Sequence, residues 1–237
     1  ALGEAWMDGG LSVEIGDLYG LIALCLENYQ NARVPWLWRL RDRLRMTLRR
    51  VTMHNPVSRS RRNVAHHYDL GDDLYDLFLD PERQYSCAYF ETPEDSLEDA
   101  QVHKMRHIAA KLSVLPGQKV LDIGSGWGGL GTYLAYSTGA RVTGVTLSVD
   151  QQEYATNRAQ RDGLHDRVRF DLRDYRHQTG RFDRIVSVGM FEHVGVGHYG
   201  EYFAKLADLL DTDGVALVHT IGSARPPRAP DPWKIGR

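Results

Sequence analysis

The chain has 237 residues and a formal net charge of −2, with 42% hydrophobic and 25% charged residues, the balance of a folded globular protein rather than a disordered or fibrous one. Its two cysteines, Cys25 and Cys87, are too few for a disulfide framework, which predicts a reducing, cytoplasmic setting. No signal peptide is visible, and the most apolar stretch, 18–26, is shorter than the roughly 18 residues that a membrane span requires.

Residues 1–50 predict a small helical domain with a basic connector, and residues 51–237 predict a larger catalytic domain. Apolar residues recur at helical spacing near the start, and Asp17 is placed to cap that helix. The recurring residues are Leu18, Leu21, Ile22, Cys25, Leu26 and Tyr29. Both ends are interpreted as interrupted, so the helical domain and the C-terminal part of the larger domain are expected to be partial.

The basic connector contains ten arginines and one acid, Asp42, between residues 33 and 62. Its charge is therefore +9, and since the whole chain carries −2, the remaining residues carry −11. One apolar stripe is formed by Leu37, Leu40, Leu44, Leu48 and Val51. Largely off that stripe lie Arg39, Arg43, Arg45, Arg49 and Arg50, and Trp36 and Trp38 stand at the start. This pattern is typical of a helix on an anionic membrane surface, although a helix packed on its own protein with a solvated arginine face fits equally.

From residue 119 onward, strand patterns alternate with helical ones. Strands are predicted at 119–123, 141–146, 167–172, 182–189 and 214–220. The clearest helices are Val149–Arg161 and Tyr199–Leu210, and another is expected from about Leu97 to Leu112, before the first strand. This alternation predicts an α/β domain with a parallel sheet and right-handed crossovers.

A glycine-rich loop follows the first of these strands. The segment VLDIGSGWGG at 120–129 has the spacing GxGxGG and carries Asp122 within the strand. Glycines let the chain turn tightly and let a ligand approach the backbone without a Cβ clash. Nicotinamide and flavin enzymes use related loops but favour GxGxxG, so the segment indicates S-adenosylmethionine as the cofactor.

The end of the second strand departs from the usual dinucleotide pattern. An acidic residue is expected about 20 residues after the loop, where it would hold ribose hydroxyls. Thr146 stands there instead, 20 residues after Gly126, and Leu147, Ser148 and Gln151 follow it. Neutral hydroxyl and amide groups are therefore predicted to replace the carboxylate.

Six segments appear in the order AHHYDLGDDLYDLFLD, YSCAYF, VLDIGSGWGG, GVTLSVDQ, SVGMFEHVG and LVHTIG. Together they closely resemble the cyclopropane-fatty-acyl-phospholipid synthases and the mycolic acid cyclopropane synthases. The resemblance implies a Rossmann-like class I S-adenosylmethionine-dependent methyltransferase core with the remnant of a small helical N-terminal domain. It also implies transfer of a methylene group from S-adenosylmethionine to a cis double bond of an unsaturated phospholipid acyl chain, which forms a cyclopropane ring.

The resemblance also implies site residues. Cofactor contacts are implied for Tyr85, Ser86, Gly124, Gly126, Trp127, Thr146, Leu147, Ser148, Gln151, Asp174 and Tyr175. Bicarbonate is the implied catalytic base, held by Cys87, Glu192, His219 and the backbone of Ile221. Candidates to stabilise positive charge on the acyl chain are Tyr68, Tyr85, Tyr89 and Trp127. The histidines show no metal-ligand spacing, so no metal site is expected.

The partners implied are a membrane phospholipid substrate and an anionic membrane surface, reached from the cytoplasmic side by a peripheral protein, and a homodimer is compatible with the resemblance. Two other functions compete. A related methyltransferase would make methyl-branched fatty acids or methylate a small-molecule amine. A nucleic-acid-binding protein would use the arginine-rich segment, but that segment lacks an interleaved aromatic platform and any recognised reader motif, so no nucleic-acid partner is expected.

Overall fold

The computed structural model describes residues 2–31, 36–52 and 72–222. The described residues fall into two compact units, one ending at residue 52 and the other covering 72–222. The first unit contains the helices α1 (Leu2–Met7), α2 (Leu18–Asn31) and α3 (Trp36–Thr52). Asp17 Oδ1 accepts a hydrogen bond of 2.7 Å from the Gly20 backbone N–H, which confirms the cap predicted for α2.

Helix α3 carries the predicted apolar stripe on an exposed surface. Exposed fractions are 58% for Leu37, 56% for Leu40, 60% for Leu44 and 47% for Leu48. Met46, about 200° around the helix from Leu44, is half-buried. The four leucines of the stripe with described side chains are therefore exposed in this unit. Within the described ranges, no helix is long and apolar enough to cross a membrane.

The second unit contains helices and parallel strands in alternation. The helices are α4 (Asp72–Asp76), α5 (Leu97–Leu112), α6 (Gly129–Thr138), α7 (Val149–Arg161) and α8 (Tyr199–Leu209). The strands are β1 (Lys119–Ile123), β2 (Arg141–Thr146), β3 (Val168–Leu172), β4 (Phe182–Val188) and β5 (Leu210–His219). Short 3₁₀ turns span Tyr175–His177, Phe191–His193 and Val196–His198.

Across residues 72–222 the strands form one parallel sheet in the order β3-β2-β1-β4-β5. The chain moves outward from β1 to β3, then returns to the other side of β1 with β4. The strand order therefore reverses between β1 and β4, and the carboxyl ends of these two strands flank the crevice where ligands bind in such sheets. The predicted Rossmann-like α/β core is confirmed.

Alternate residues of β1 face two separate apolar clusters. Val120 packs with residues of α5, α6 and α7, including Met105 and Leu134. Leu121 and Ile123 point to the other face, where α8 supplies further core residues. The sheet is thus covered on both sides, as a parallel sheet requires, and its carboxyl edge is held rigidly between the two helical layers.

Strand β5 begins earlier than the predicted residue 214. Its pairing with β4 is irregular, because Phe182 pairs with Leu210 whereas Arg184 pairs with Val215. The polar segment at 211–214 is therefore a bulge, with the Thr212 N–H bonded to Asp211 Oδ1 at 2.8 Å. Regular pairing with β4 resumes at Val215, close to the predicted start.

Candidate active site

The glycine-rich loop lies at the reversal point of the sheet. Gly124 and Gly126 have positive φ angles of 81° and 53°. The backbone N–H groups of Gly124 and Ser125 both donate to the Val145 carbonyl, at 2.9 and 3.1 Å, and tie the loop to β2. A Cβ at Gly124 would lie 2.8 Å from the Met190 side chain, whereas a Cβ at Gly126 would meet no atom within 4 Å. The loop is therefore closed at Gly124 and open at Gly126, where a ligand can reach the backbone.

Two buried polar groups beside this loop lack partners. Asp122, in β1, is 2% exposed, and burial raises the pKa of its carboxyl to about 7. Neither Asp122 Oδ2 nor Ser125 Oγ has a hydrogen-bond partner among the described residues. Buried polar atoms are nearly always paired, so unsatisfied atoms next to an open loop fit a site that a ligand or water completes.

The carboxyl end of β2 carries a buried polar cluster. Thr146 Oγ1 donates to Gln151 Oε1 at 2.9 Å, and Ser148 Oγ accepts from the Gln151 backbone N–H at 3.3 Å as the cap of α7. All three residues are at most 5% exposed, and Leu147 between them is half-buried. The structure therefore brings the predicted neutral groups together at the end of the strand next to the glycine loop.

Asp174 and Tyr175 lie beyond β3. Asp174 is 2% exposed, and both of its oxygens accept hydrogen bonds from Arg176, at 2.7 to 3.0 Å. Burial acts to raise the pKa of Asp174, but the Arg176 hydrogen bonds outweigh it, so the pKa is lowered. The Tyr175 ring packs edge-on against Tyr202 at 5.4 Å, and burial raises its pKa to about 12. Arg176 thus uses much of the hydrogen-bonding capacity of Asp174, which leaves it ionised and fixed.

The segment at 82–87 crosses the reversal point. A Cβ at Gly129 would overlap the Glu82 carbonyl, and a Cβ at Gly189, after β4, would lie 3.8 Å from Ser86 Cβ. The segment therefore runs from the end of β1 toward the end of β4. Tyr85 and Ser86, for which the resemblance implied cofactor contacts, lie on this segment, with Ser86 close to the end of β4.

An aromatic cluster joins this segment to the glycine loop. Tyr75, 3% exposed, contacts Trp127 at a ring-centroid distance of 4.7 Å and Tyr85 at 5.8 Å. Trp127 is buried, whereas Tyr85 is 57% exposed. The sequence analysis missed Tyr75 as the link, although its position in the YDLFLD segment offered a signal.

Glu192 and Ile221 meet at the ends of β4 and β5. The Ile221 backbone N–H donates to Glu192 Oε1 at 2.6 Å. His219, the last residue of β5, pairs with Val188, and its carbonyl accepts from the Gly189 N–H at 3.1 Å. His219 Nδ1 is buried without a hydrogen-bond partner in the part of the chain that the structure describes. The structure brings Glu192 and Ile221 into contact, and the Ile221 N–H is directed at the carboxylate.

Cys87 is exposed, on the segment that passes the end of β4. Within residues 72–222, no hydrogen bond joins it to Glu192 or His219. Its nearest described link to those strands is through Ser86 and Gly189. Tyr68 and the rest of the HHYDL motif lie outside the described residues, and so does the segment at 223–237. The side chain of Val51 is not described either.

Two further residues at this site escaped the sequence analysis. Gln101 and Lys104, both in α5, are 3% and 4% exposed and donate hydrogen bonds to the segment at 82–87. The available signal was their position on the apolar stripe of α5, between Ala100 and Met105, where polar residues are out of pattern.

Comparisons with known proteins identify the family. The family model described as mycolic acid cyclopropane synthetase matches residues 56–231. The chain belongs to the mycolic acid cyclopropane synthetase family. It is 43% identical to a cyclopropane-fatty-acyl-phospholipid synthase of Escherichia coli K12 over 236 residues, which cover 98% of this chain and 58% of that protein.

Two further relatives of the family bear on the site. A probable fatty acid methyltransferase of Pseudomonas putida is 36% identical over 93% of this chain and 54% of that protein. A crystal structure of a mycolic acid cyclopropane synthase complexed with SAH and CTAB has a TM-score of 0.66 and 37% identity, covering 70% of this chain and 57% of that one. The chain spans between half and three fifths of the length of these relatives.

Proposed function

We propose that the chain is part of an enzyme that transfers a methylene group from S-adenosylmethionine to a cis double bond of an unsaturated phospholipid acyl chain, forming a cyclopropane ring. One observation carries the proposal. The open glycine loop, the polar end of β2 and the Glu192–Ile221 pair all lie along one carboxyl edge of the sheet. The identity to an E. coli protein of that name, over 98% of this chain, supports the same reaction.

The residues beside the glycine loop fit S-adenosylmethionine. The backbone at Gly126 is open, Ser125 Oγ is unpaired among the described residues, and Thr146 with Gln151 offers neutral polar groups. A related structure holds SAH. S-Adenosylmethionine supplies an electrophilic methyl group on a sulfonium. The roles of this chain are to bind it through these groups, to orient it with Tyr85 and Trp127, and to keep water from it.

The residues at the ends of β4 and β5 fit a small anionic base such as bicarbonate. His219 Nδ1 is a buried polar atom that still lacks a partner in the described structure, and Cys87 is exposed on the neighbouring segment. Bicarbonate supplies a replaceable proton acceptor that methylation cannot permanently disable. Glu192, held at Oε1 by the Ile221 N–H, leaves its other oxygen to orient the base.

The chemistry demands an apolar, shielded approach for the acyl chain, because an alkene is a weak nucleophile that water would outcompete. Tyr85 is half-exposed next to the glycine loop, with Phe78 6.1 Å away. Its ring face can stabilise developing positive charge on the acyl chain by about 0.5–2 kcal/mol.

Membrane attachment is proposed through α3. Its leucine stripe is exposed in the described unit, and its basic side chains suit anionic headgroups at the cytoplasmic face. Peripheral binding of this kind would raise the concentration of the protein at the surface that contains its lipid substrate.

The test incubates the complete protein with isotope-labelled S-adenosylmethionine and vesicles of unsaturated phospholipid. The expected product is an acyl chain heavier by one CH2 unit and without its double bond. Glu192→Ala should lower the rate more than about 100-fold while SAH affinity changes less than about 3-fold, because the residue acts on the base rather than on the cofactor. The matched control is Glu153→Ala, an exposed glutamate of α7, which should behave as wild type. Labelling of small amines with untouched lipid would overturn the proposal.

The second candidate is a methyltransferase that leaves a methyl-branched or methylene-bearing acyl chain. The similarity to a probable fatty acid methyltransferase over 93% of this chain favours it specifically. The same experiment separates the two, because a branched product keeps its unsaturation or gains two hydrogen atoms relative to the cyclopropane.

A further inference from the structure

Two buried polar side chains of α5 hold the segment at 82–87 in place. Gln101 Nε2 donates to the carbonyl oxygens of Gln84 and Ser86, each at 3.1 Å. Lys104, one turn later, donates Nζ to Ser86 Oγ at 2.7 Å. Two hydrogen bonds from α5 therefore hold the backbone just before Cys87, and a third holds the Ser86 side chain.

The burial of Lys104 is costly for a residue whose only role is packing. It is 4% exposed, and burial lowers its pKa to about 8, while the carboxylate of Asp80 and the thiol of Cys87 act in the opposite direction. Asp80 is itself buried and accepts from the Gln84 and Glu82 N–H groups, at 2.8 and 3.0 Å. A neutral side chain of similar length would fill the same space without this desolvation cost, so the charge itself calls for a function.

The proposed base site lacks a permanent cation. The residues that the family resemblance assigns to it are a cysteine, a glutamate, a histidine and a backbone N–H. The free oxygen of the glutamate can accept a hydrogen bond from the bicarbonate hydroxyl, but its negative charge still calls for a compensating cation. The Lys104 ammonium donates to Ser86 Oγ at 2.7 Å, which places it next to the residue that precedes Cys87. The charges of Asp80 and Cys87 both act to raise the pKa of Lys104.

We propose that Lys104 is a positioning residue for the anionic base, whose ammonium group fixes the Ser86 hydroxyl and supplies the positive charge that holds bicarbonate beside Cys87. This inference rests on the proposed function for the presence of bicarbonate. It assigns the charge compensation of the base to a helix that precedes the sheet.

The test measures how bicarbonate protects Cys87 from alkylation by iodoacetamide, in the complete protein at pH 7.5, with peptide mass spectrometry as the readout. Cys25, exposed and in the other unit, serves as the internal control. Lys104→Met and Lys104→Gln should each raise the half-protecting bicarbonate concentration by about 10-fold or more, because a hydrogen bond to a charged group is lost. Lys104→Arg keeps the charge and should stay within about 3-fold of wild type.

Controls separate charge from packing. Lys111→Met removes an exposed lysine from the end of the same helix and should leave the protection unchanged. Raising the pH from 7 to 9 at a constant concentration of bicarbonate ion should weaken the protection of Cys87 in wild type, because Lys104 loses its proton in this range. The charged groups that act on Lys104 are Asp80 and Cys87. The protection should not weaken in Lys104→Arg, which keeps its proton.

The outcomes distinguish the two proposals. If wild type is protected and Lys104→Gln is protected equally, the inference about Lys104 is wrong and the proposed function stands. If bicarbonate fails to protect wild-type Cys87, the assignment of the base to this site is wrong, and the role of Lys104 is overturned with it. If protection behaves as expected but no cyclopropane forms, the anion site remains and the proposed reaction is wrong.

Discussion

Two buried carboxyl groups near the carboxyl edge of the sheet have pKa values shifted in opposite directions. Asp122 lacks a partner for Oδ2 in the described residues, and burial raises its pKa to about 7. Asp174 is equally buried, but the Arg176 guanidinium and backbone N–H hold its pKa below the usual value. At neutral pH the first carboxyl is close to half-protonated and the second is ionised, so the two are suited to different tasks.

Replacing Asp122 by Asn should stabilise the unliganded protein in a pH-dependent way. Below pH 4 the carboxyl is protonated in both the folded and unfolded states. Between about pH 4 and 7 only the unfolded state loses the proton, so the stability of wild type falls as pH rises through this window and is constant above it. The gain in unfolding free energy for Asp122→Asn should be about 2 kcal/mol larger at pH 8 than at pH 5, measured by urea denaturation.

The control for this prediction is Asp166→Asn, since that side chain is 89% exposed. It should change stability little at either pH. If Asp122→Asn increases the free energy of unfolding equally at the two pH values, the pKa of the Asp122 carboxyl is not raised in the folded state.

Single residues also mark the limit of inference from sequence. The motif spacing predicted that Thr146 and Gln151 would act together, and they share a hydrogen bond because both lie within one strand–helix turn. The roles of Gln101 and Lys104 were not predictable in this way. Their acceptors lie 15 to 18 residues earlier in the chain, and such pairings are decided by tertiary packing.

At the scale of secondary structure, caps explain which boundaries could be predicted. The bounds of α7 agree with the prediction, and those of α5 agree with the expected limits, because Ser148 and Ser96 accept hydrogen bonds from the first turns. The predicted start of β5 was wrong. The segment at 211–214 has the acidic and glycine-containing composition of a turn, but it forms a bulge within the strand.

Helix α3 offers a prediction about membrane binding. Leu40→Gln with Leu44→Gln should weaken binding to vesicles containing anionic phospholipid by about 10-fold or more, because each exposed leucine that enters the interface contributes roughly 1–2 kcal/mol. Cosedimentation at low salt provides the measurement. Thr47→Gln, an exposed polar change on the same helix, should leave binding unaltered.

An outcome in which the double leucine variant binds vesicles as tightly as wild type would indicate that the stripe packs against protein. Added salt should weaken wild-type binding, because the segment at 33–62 carries +9 against −11 elsewhere. Equal tightness for neutral and anionic vesicles would contradict the electrostatic part of this prediction.

For the molecule as a whole, strand–helix alternation predicted the parallel sheet, since each helical crossover forces the next strand to run in the same direction. The alternation alone did not specify that β4 returns beside β1, although this return creates the crevice. The ligand edge was predictable because it follows from the glycine loop after β1. The path of the segment at 82–87 over that edge was not, since it depends on contacts with Gly129 and Gly189.

Cofactor binding should raise the thermal stability of the protein. At an SAH concentration 100 times its Kd, binding contributes about 2.7 kcal/mol, which corresponds to a Tm increase of roughly 5–10 °C for a domain of this size. Gly126→Ala should lose most of this increase, because its methyl group enters the open space over the loop. Differential scanning calorimetry with and without SAH measures both effects.

Gly163→Ala is the matched control. Gly163 also has a positive φ, of 67°, and open space around its Cβ position, but it lies after α7 and away from the loop. Both variants share the cost of backbone strain, and only Gly126→Ala should reduce the SAH-dependent increase. A full increase in Gly126→Ala would place the cofactor elsewhere.

Helix α5 belongs to the core and to the candidate site at once. Its apolar residues pack in the core beside the sheet; they are Met105, Ile108 and Leu112. Gln101 and Lys104 of the same helix donate hydrogen bonds to the segment that carries Cys87. Displacing this exposed segment requires breaking the hydrogen bonds that Gln101 and Lys104 donate to it. We therefore expect local opening around Cys87 to cost more free energy than the opening of a surface loop without such links to the core.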